Sequence, residues 1–304
     1  MISEITSEVL LCGSSDRAAA VRSLLDKTDL TGMVGKSVVV KANFNSADPF
    51  PASTHPDTLA AMIAVLQEAG VRGVTLAERS GMGDTRETLE RLGIFELSRQ
   101  LDFRVVILNE EPEQSWVKIE RDGTHWPQGF YLPKVLLDTD VVVQTCCLKT
   151  HRWGGHFTMS LKNSVGLVAR QAPGGSHDYM SELHDSPSQR LMIAEINGFY
   201  EVGLVVMDAT EAFVDGGPDA GTKIKPGLML ASRDRVAIDA VGVAILRDFG
   251  APSLIDRSIF ELDQIRRAAE LGVGAASASV IKLAPLDDQS RQPADDIRRI
   301  LADE

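Results

Sequence analysis

Between Asp140 and Gly166 the chain reads DVVVQTCCLKTHRWGGHFTMSLKNSVG, an apolar run that ends in two cysteines, two histidines, two lysines and a pair of glycines. Lysine binds carboxylate or phosphate and acts as a nucleophile when desolvation lowers its pKa, while histidine moves protons or ligates metal. Val141, Val142 and Val143 predict a buried parallel strand, and in open α/β sheets ligands gather beyond the carboxyl ends of such strands. The polar run after Gln144 falls where a site is expected, with Lys149, His151, His156, Lys162 and Asn163 as its candidate members. A helix starting near Gly155 would carry Lys162 roughly two turns in. It would set His156 at its N-terminus, where the dipole favours an anion and a neutral imidazole.

Two further histidines, His177 and His184, follow in GGSHDYMSELHD. Four histidines between 151 and 184 open a metal reading, a mononuclear divalent site drawn from His151, His156 and His177 with Asp178 or Asp185, although no HxH or HExxH pattern supports it. The loop KANFNSADPFPASTH offers Lys41, Asn43 and Asn45 as a second wall that could orient a carboxylate or phosphate. In MDATEAFVDGGPDAG, Asp215 stands beside glycines that permit close backbone approach to a ligand. Asp239 falls among apolar residues in SRDRVAIDAVG, where a carboxylate needs a partner, and Lys41 or Lys162 is the natural candidate.

These side chains need a scaffold, and the chain supplies alternating strand and helix patterns. KSVVVKA predicts a strand, a long loop follows, and a helix begins near Pro56 and closes on Gly70. GVTLA predicts the next strand, ERSGMGD a glycine-rich turn, and residues 85–92 a helix capped by Asp84 or Thr85. Residues 103–108 form a further strand, and SWVKIE with GFYLP suggests short edge strands or a hairpin of unassigned topology. Later patterns predict helices over 188–200, 234–249 and 294–301 and strands over 202–207, 227–231 and 279–283. The fold class expected is α/β, a mostly parallel sheet with flanking helices and room for two lobes. Residues 1–304 are taken as a single α/β domain, with a core over 37–249 and a C-terminal α/β extension over 250–304.

With 304 residues, 44% hydrophobic content and 24% charged residues, a sizeable core forms without staples. A net charge of -12 argues against a duplex nucleic-acid binder. No apolar run approaches the roughly 18 residues of a membrane span. The start MISEITSEVLLCG lacks the pattern of a signal peptide, so a cytoplasmic location is expected. Cys12, Cys146 and Cys147 show no CxxC spacing, which argues against an iron-sulfur or structural zinc module.

In order, VVVKANFN, THPDTLAAMIAVLQEAG, TDVVVQTCCLKTH, GGHFTMSLKNSVG, VMDATEAFVDGGPDAG and SRDRVAIDAVG resemble the family catalogued as domain of unknown function 362. The core of the likeness is K-x-H followed by a G-x-T-x-x-L-K-N-x-x-G pattern, here Lys149, His151, GHFTMSLKN and Gly166. More distantly, His151, Lys162 and His177 or His184 are similar in order to the N-terminal region of nickel-pincer lactate racemases, in which a histidine precedes the lysine that holds the cofactor. A D-x-T-R-P loop is lacking and TMSLKNSVG matches that family's cofactor loop only loosely, so the resemblance implies a shared scaffold more securely than shared chemistry.

Three function classes follow, the last a purely structural or interaction protein, for which polar residues concentrated at strand ends would be unneeded. The first is an enzyme acting on a small anionic substrate, carboxylate or phosphate, by His and Lys acid-base chemistry. His151, Lys162, His177 and His184 would be its catalytic residues, and Lys41, Asn43, Asn45, Lys149, Asn163, Asp215 and Asp239 its substrate-binding residues. A divalent metal or a lysine-linked organic cofactor would fit this reading. The second is a non-catalytic metal or cofactor carrier using Cys146, Cys147, His151 and His156. The expected partner is a small molecule, and stretches such as FYLP leave a homo-oligomer open.

Overall fold

The computed structural model describes residues 6–13, 16–120, 122–153 and 156–303. Its strands are β1 (Ser7–Gly13), β2 (Ser37–Lys41), β3 (Gly73–Glu78), β4 (Arg104–Ile107), β5 (Trp116–Ile119), β6 (Phe130–Pro133), β7 (Val141–His151), β8 (His156–Thr158), β9 (Leu204–Phe213), β10 (Lys223–Ile224), β11 (Leu228–Ser232) and β12 (Ile281–Pro285). Its helices are α1 (Arg17–Asp26), α2 (Pro56–Glu68), α3 (Thr85–Arg91), α4 (Ile94–Leu101), α5 (Lys134–Leu137), α6 (Ser160–Asn163), α7 (Tyr179–Asp185), α8 (Gln189–Ile196), α9 (Arg235–Asp248), α10 (Asp263–Glu270) and α11 (Asp288–Ala302).

The main sheet runs in the order β12-β1-β11-β9-β7-β2-β3-β4. All of these pairings are parallel except those that β11 makes with β1 and β9. The mostly parallel α/β class is therefore the observed one, and β5 and β6 make a separate antiparallel pair. Each β-branched run, such as Val38 to Val40, is buried between helical layers, which is why the sequence shows continuous rather than alternating apolar residues there. Helix starts follow their caps: the Asp84 and Asp234 side chains accept amides at the heads of α3 and α9, and His55 does so before Pro56 in α2.

Some expectations are corrected. The polar run after Gln144 is not a loop, because β7 continues to His151 and buries Cys146, Cys147, Lys149, Thr150 and His151. The extension is held on one side by β9, across an irregularity between Cys147 and Lys149, and on the other by the short β8, which pairs with Lys149 to His151. The helix expected near Gly155 is replaced by α6 beginning at Ser160; Gly155 itself lies outside the described residues. β1, α1, α4, α7 and α10 went unassigned in the sequence, and α11 starts earlier than the expected 294, running through Pro293.

Helix α9 packs its predicted face of Val236, Ala237, Ala240, Val241, Ala244 and Ile245 on sheet residues that include Leu148, Met207 and Leu230. Its Gly242 allows a close approach: a Cβ there would lie 2.3 Å from Met159 Sδ and 3.1 Å from Leu148 Cδ1. Met159 immediately precedes α6, so Gly242→Ala presses on the segment that carries Lys162. Overpacking of this kind costs roughly 1–3 kcal/mol. Chemical denaturation of G242A is expected to show that loss, and wild-type stability would contradict the packing described.

Candidate functional site

One cavity of about 330 Å³ opens at the carboxyl ends of β2, β3 and β7 and collects most of the side chains singled out above. Lys41, Asn43, Asn45, His151, Lys162, Asn163 and His184 all line it. A volume near the lower end of the range for ligand pockets suits a small molecule.

Lys41 ends β2 and is buried. Its ammonium meets Glu78 Oε1 at 2.5 Å and Asn163 Oδ1 at 3.1 Å, and it also donates to the Ala42 carbonyl. Glu78, at the end of β3, accepts in addition from the Arg79 amide at 3.0 Å and the Phe44 amide at 3.3 Å. Burial pushes the Lys41 ammonium down and the Glu78 carboxyl up, while their mutual attraction opposes both. With its proton on either partner the pair is neutral overall. Gly166 makes room for it, since a Cβ there would stand 2.8 Å from Lys41 Cε and 2.9 Å from Nζ.

Lys149 is placed differently. Its ammonium donates to Asn43 Oδ1 at 2.6 Å, Ala52 O at 2.6 Å and Pro51 O at 3.0 Å, and it does not line the cavity. The expected substrate-binding lysine instead ties the loop after β2 onto β7, which also fixes the Asn43 side chain.

Lys162 contrasts with both. It sits half-buried in α6, and its amine has no hydrogen-bond or ion-pair partner among the described residues. Burial, followed by the charges of Lys149 and Arg79, pulls its pKa down to about 8. Arg79 is buried with its guanidinium on the Val168, Val165 and Ser80 carbonyls, and it remains a cation although burial lowers it to about 10. Lys162 and Arg79 thus bring positive charge to the cavity, and Asp178 and Asp185 line it as well.

Two histidines face the same space in complementary tautomers. His151 Nδ1 accepts the Trp153 amide at 3.2 Å, so the neutral ring carries its proton on Nε2. Burial first, then the charge of Lys162, drives its pKa down to about 2 and keeps the ring neutral. His184 Nδ1 lies 2.6 Å from the Met180 carbonyl and must donate there, which leaves Nε2 as the acceptor. Beside them Thr158, buried and lining the cavity, has a hydroxyl without a partner. Glu78, Arg79 and Thr158 went unnoticed in the sequence; the charged pair ending β3 just before a glycine was the signal available for the first two.

The remaining expected site residues are elsewhere. Asp239 pairs with neither Lys41 nor Lys162: its two oxygens accept the Ser160 and Leu161 amides at 2.9 Å each, seating α6 against α9. Asp215 accepts from the Thr222 amide and hydroxyl and closes its own loop. His177 pairs with Glu182 and stacks edge-on to Tyr179, and His156, paired with His151 across the β7–β8 turn, points to no part of the cavity lining. His151, His156 and His177 therefore do not converge. Among the described residues no group of three or more His, Cys, Asp or Glu side chains is placed to hold a metal ion. Cys146 and Cys147 are buried thiols, pushed well up and to about 11 respectively, chiefly by burial.

The model of a family described as a domain of unknown function (DUF362) matches residues 38–244. A thylakoid-associated protein of Synechocystis sp. is 28% identical over 194 residues, or 64% of this chain and 57% of that protein. The chain thus spans little more than half of that relative's length. Among solved structures, the lactate racemase apoprotein from Thermoanaerobacterium thermosaccharolyticum aligns with 76% of this chain and 55% of its own, at 13% identity and a TM-score of 0.48. A Thermotoga maritima protein aligns with 63% of this chain and 49% of its own, at 14% identity and a TM-score of 0.41. No described helix is long and apolar enough to cross a membrane.

Burial raises the Asp239 carboxyl to about 7, against the amide bonds that pull it down. The folded protein then holds a proton that the unfolded chain releases near pH 4, so the stability Asp239 contributes is full below that pH and drains as pH rises through about 7. Asn cannot titrate. The stability advantage of wild type over Asp239→Asn, read from denaturant midpoints, is expected to narrow between pH 5 and pH 8; an advantage that stays constant or widens would contradict this assignment.

Proposed function

We propose that this chain, which belongs to the DUF362 family, is an enzyme that binds a small carboxylate- or phosphate-bearing anion in the Lys162 cavity and transfers a proton on it. The observation that carries the reading is the Lys162 amine, facing the cavity without a partner beside two histidines whose free nitrogens differ in role. A half-buried lysine amine facing a cavity without a partner among the described residues is a specific arrangement, because unpaired lysine is ordinarily left in water.

Each side chain then has a task. Lys162, in the field of Arg79, holds the anion. His184 Nε2 accepts a proton, while the His151 Nε2–H and the Thr158 hydroxyl donate to the oxygen on which charge develops. A neutral imidazole acts there as a hydrogen-bond donor and does not lose its proton, which the depressed pKa of His151 suits. Lys41, neutralised by Glu78, and Asn163 keep the back wall in place, and Asn43 and Asn45 offer amides at the rim.

Calorimetric titration with short carboxylates and inorganic phosphate tests the first half. Lys162→Met is expected to weaken binding roughly 10- to 100-fold, the worth of a hydrogen bond to a charged group. Binding of a simple anion should also weaken as pH rises through about 8, where Lys162 loses its charge, and that pH dependence should vanish in K162M. His184→Gln should retain binding while losing exchange of substrate hydrogen with deuterated solvent. Equal affinity in K162M and wild type, or no binding of any anion in the series, would overturn the reading.

A further inference from the structure

We infer that Lys162 attacks its ligand and forms an imine, which makes the substrate a short anion with a reactive carbonyl, an oxo acid. This rests on the anion-binding reading above and specifies the substrate class of the same cavity.

The geometry distinguishes Lys162 from its neighbours. Lys41 and Lys149 each carry three oxygen acceptors, which consume their donors. Among the described residues Lys162 has none, and none of their carboxylates is bonded to it. A lysine kept only as a cation is normally steadied by an acidic neighbour; the charges that act on this one are those of Lys149 and Arg79, which favour the neutral amine. Near pH 7.5 an amine with pKa about 8 is neutral in roughly a quarter of molecules, against about one in a thousand for an ordinary lysine. The lone pair needed for attack is therefore available, and it opens onto a cavity rather than onto bulk solvent.

The remaining groups match the steps. The Nζ lone pair forms a bond to the carbonyl carbon, and the C–O π pair moves to oxygen, where the His151 Nε2–H and the Thr158 hydroxyl donate hydrogen bonds. His184 Nε2 takes a proton from the nitrogen and returns it to the oxygen. From the carbinolamine, the hydroxyl leaves as water with a proton that His184 Nε2 brings in from solvent, and the nitrogen lone pair closes the C=N bond while Nζ keeps its remaining hydrogen. One neutral amine, one carbonyl and one proton give one protonated imine and one water, with no oxidant or reductant. The protonated imine keeps its positive charge beside the substrate's carboxylate and can accept the electron pair released when the adjacent carbon loses a proton, which joins this step to the proton transfer proposed above.

The test is reductive trapping on the whole wild-type chain with pyruvate, glyoxylate and 2-oxoglutarate as probes and cyanoborohydride as reductant, followed by peptide mass mapping. A single dominant adduct on Lys162 is expected, at least tenfold above exposed lysines such as Lys27 and Lys36. Acetate should suppress it by competition. Adducts scattered over exposed lysines, with none favoured at Lys162 although the oxo acids bind by calorimetry, would overturn the imine and leave the anion site standing. Failure of both the oxo acids and the simple anions to bind would remove both readings.

Discussion

A lysine ammonium buried without acceptors is too costly to survive folding, and this chain buries two of them by wrapping oxygen atoms around each Nζ. Around Lys41 these come from Glu78, Asn163 and the Ala42 carbonyl; around Lys149 they come from Asn43 and two carbonyls of the loop after β2. Breaking one partner from such a buried pair typically costs roughly 3–5 kcal/mol, so the loop, β3, β7 and α6 are fixed relative to one another by these contacts. The cavity is what remains between them. Because the two neighbouring lysines are fully engaged, the third, Lys162, is left as the free amine within it.

The second constraint acts from the opposite side. A helix of four residues cannot hold its own position, and α6 is anchored by the Asp239 carboxyl on its first two amides and by the close passage of α9 at Gly242. Asn163 on the same turn returns to Lys41 and to the carbonyl of Thr145. Lys162 thus rides on a short segment clamped at both ends, which preorganises its position beside the cavity.

Much of this was legible in the sequence, and the rest was hidden for physical reasons. Apolar runs and caps located β2, α2, β3, α3 and α9, since periodicity and capping are local signals. The run from Cys146 to His151 looked like a loop because its polar residues break the strand pattern; only the partners supplied by β8 and β9 make it a strand. Seven of the side chains that line the cavity are legible by residue type, Lys41, Asn43, Asn45 and His151 at or just after strand ends, whereas Lys149, Asp215 and Asp239 have the same types and spend them on structure. Nothing local separates a lysine that binds a ligand from one that binds three carbonyl or amide oxygens. His156 and His177 mislead for a related reason: closeness in sequence to His151 does not carry them into the same space. Thr158 gave no signal at all, for a threonine in a short apolar stretch is ordinary until its hydroxyl is seen to lack a partner.

The account stands on the difference between three lysines, and the most direct measurement is a pH titration of the lysine side-chain Cε resonances in protein labelled with carbon-13 lysine, with Lys162 assigned by its loss in the Met variant. The Lys162 resonance is expected to titrate with a midpoint near 8. A Lys162 midpoint at the ordinary lysine value of about 10.4 would show the amine to be solvated or paired and would contradict the account.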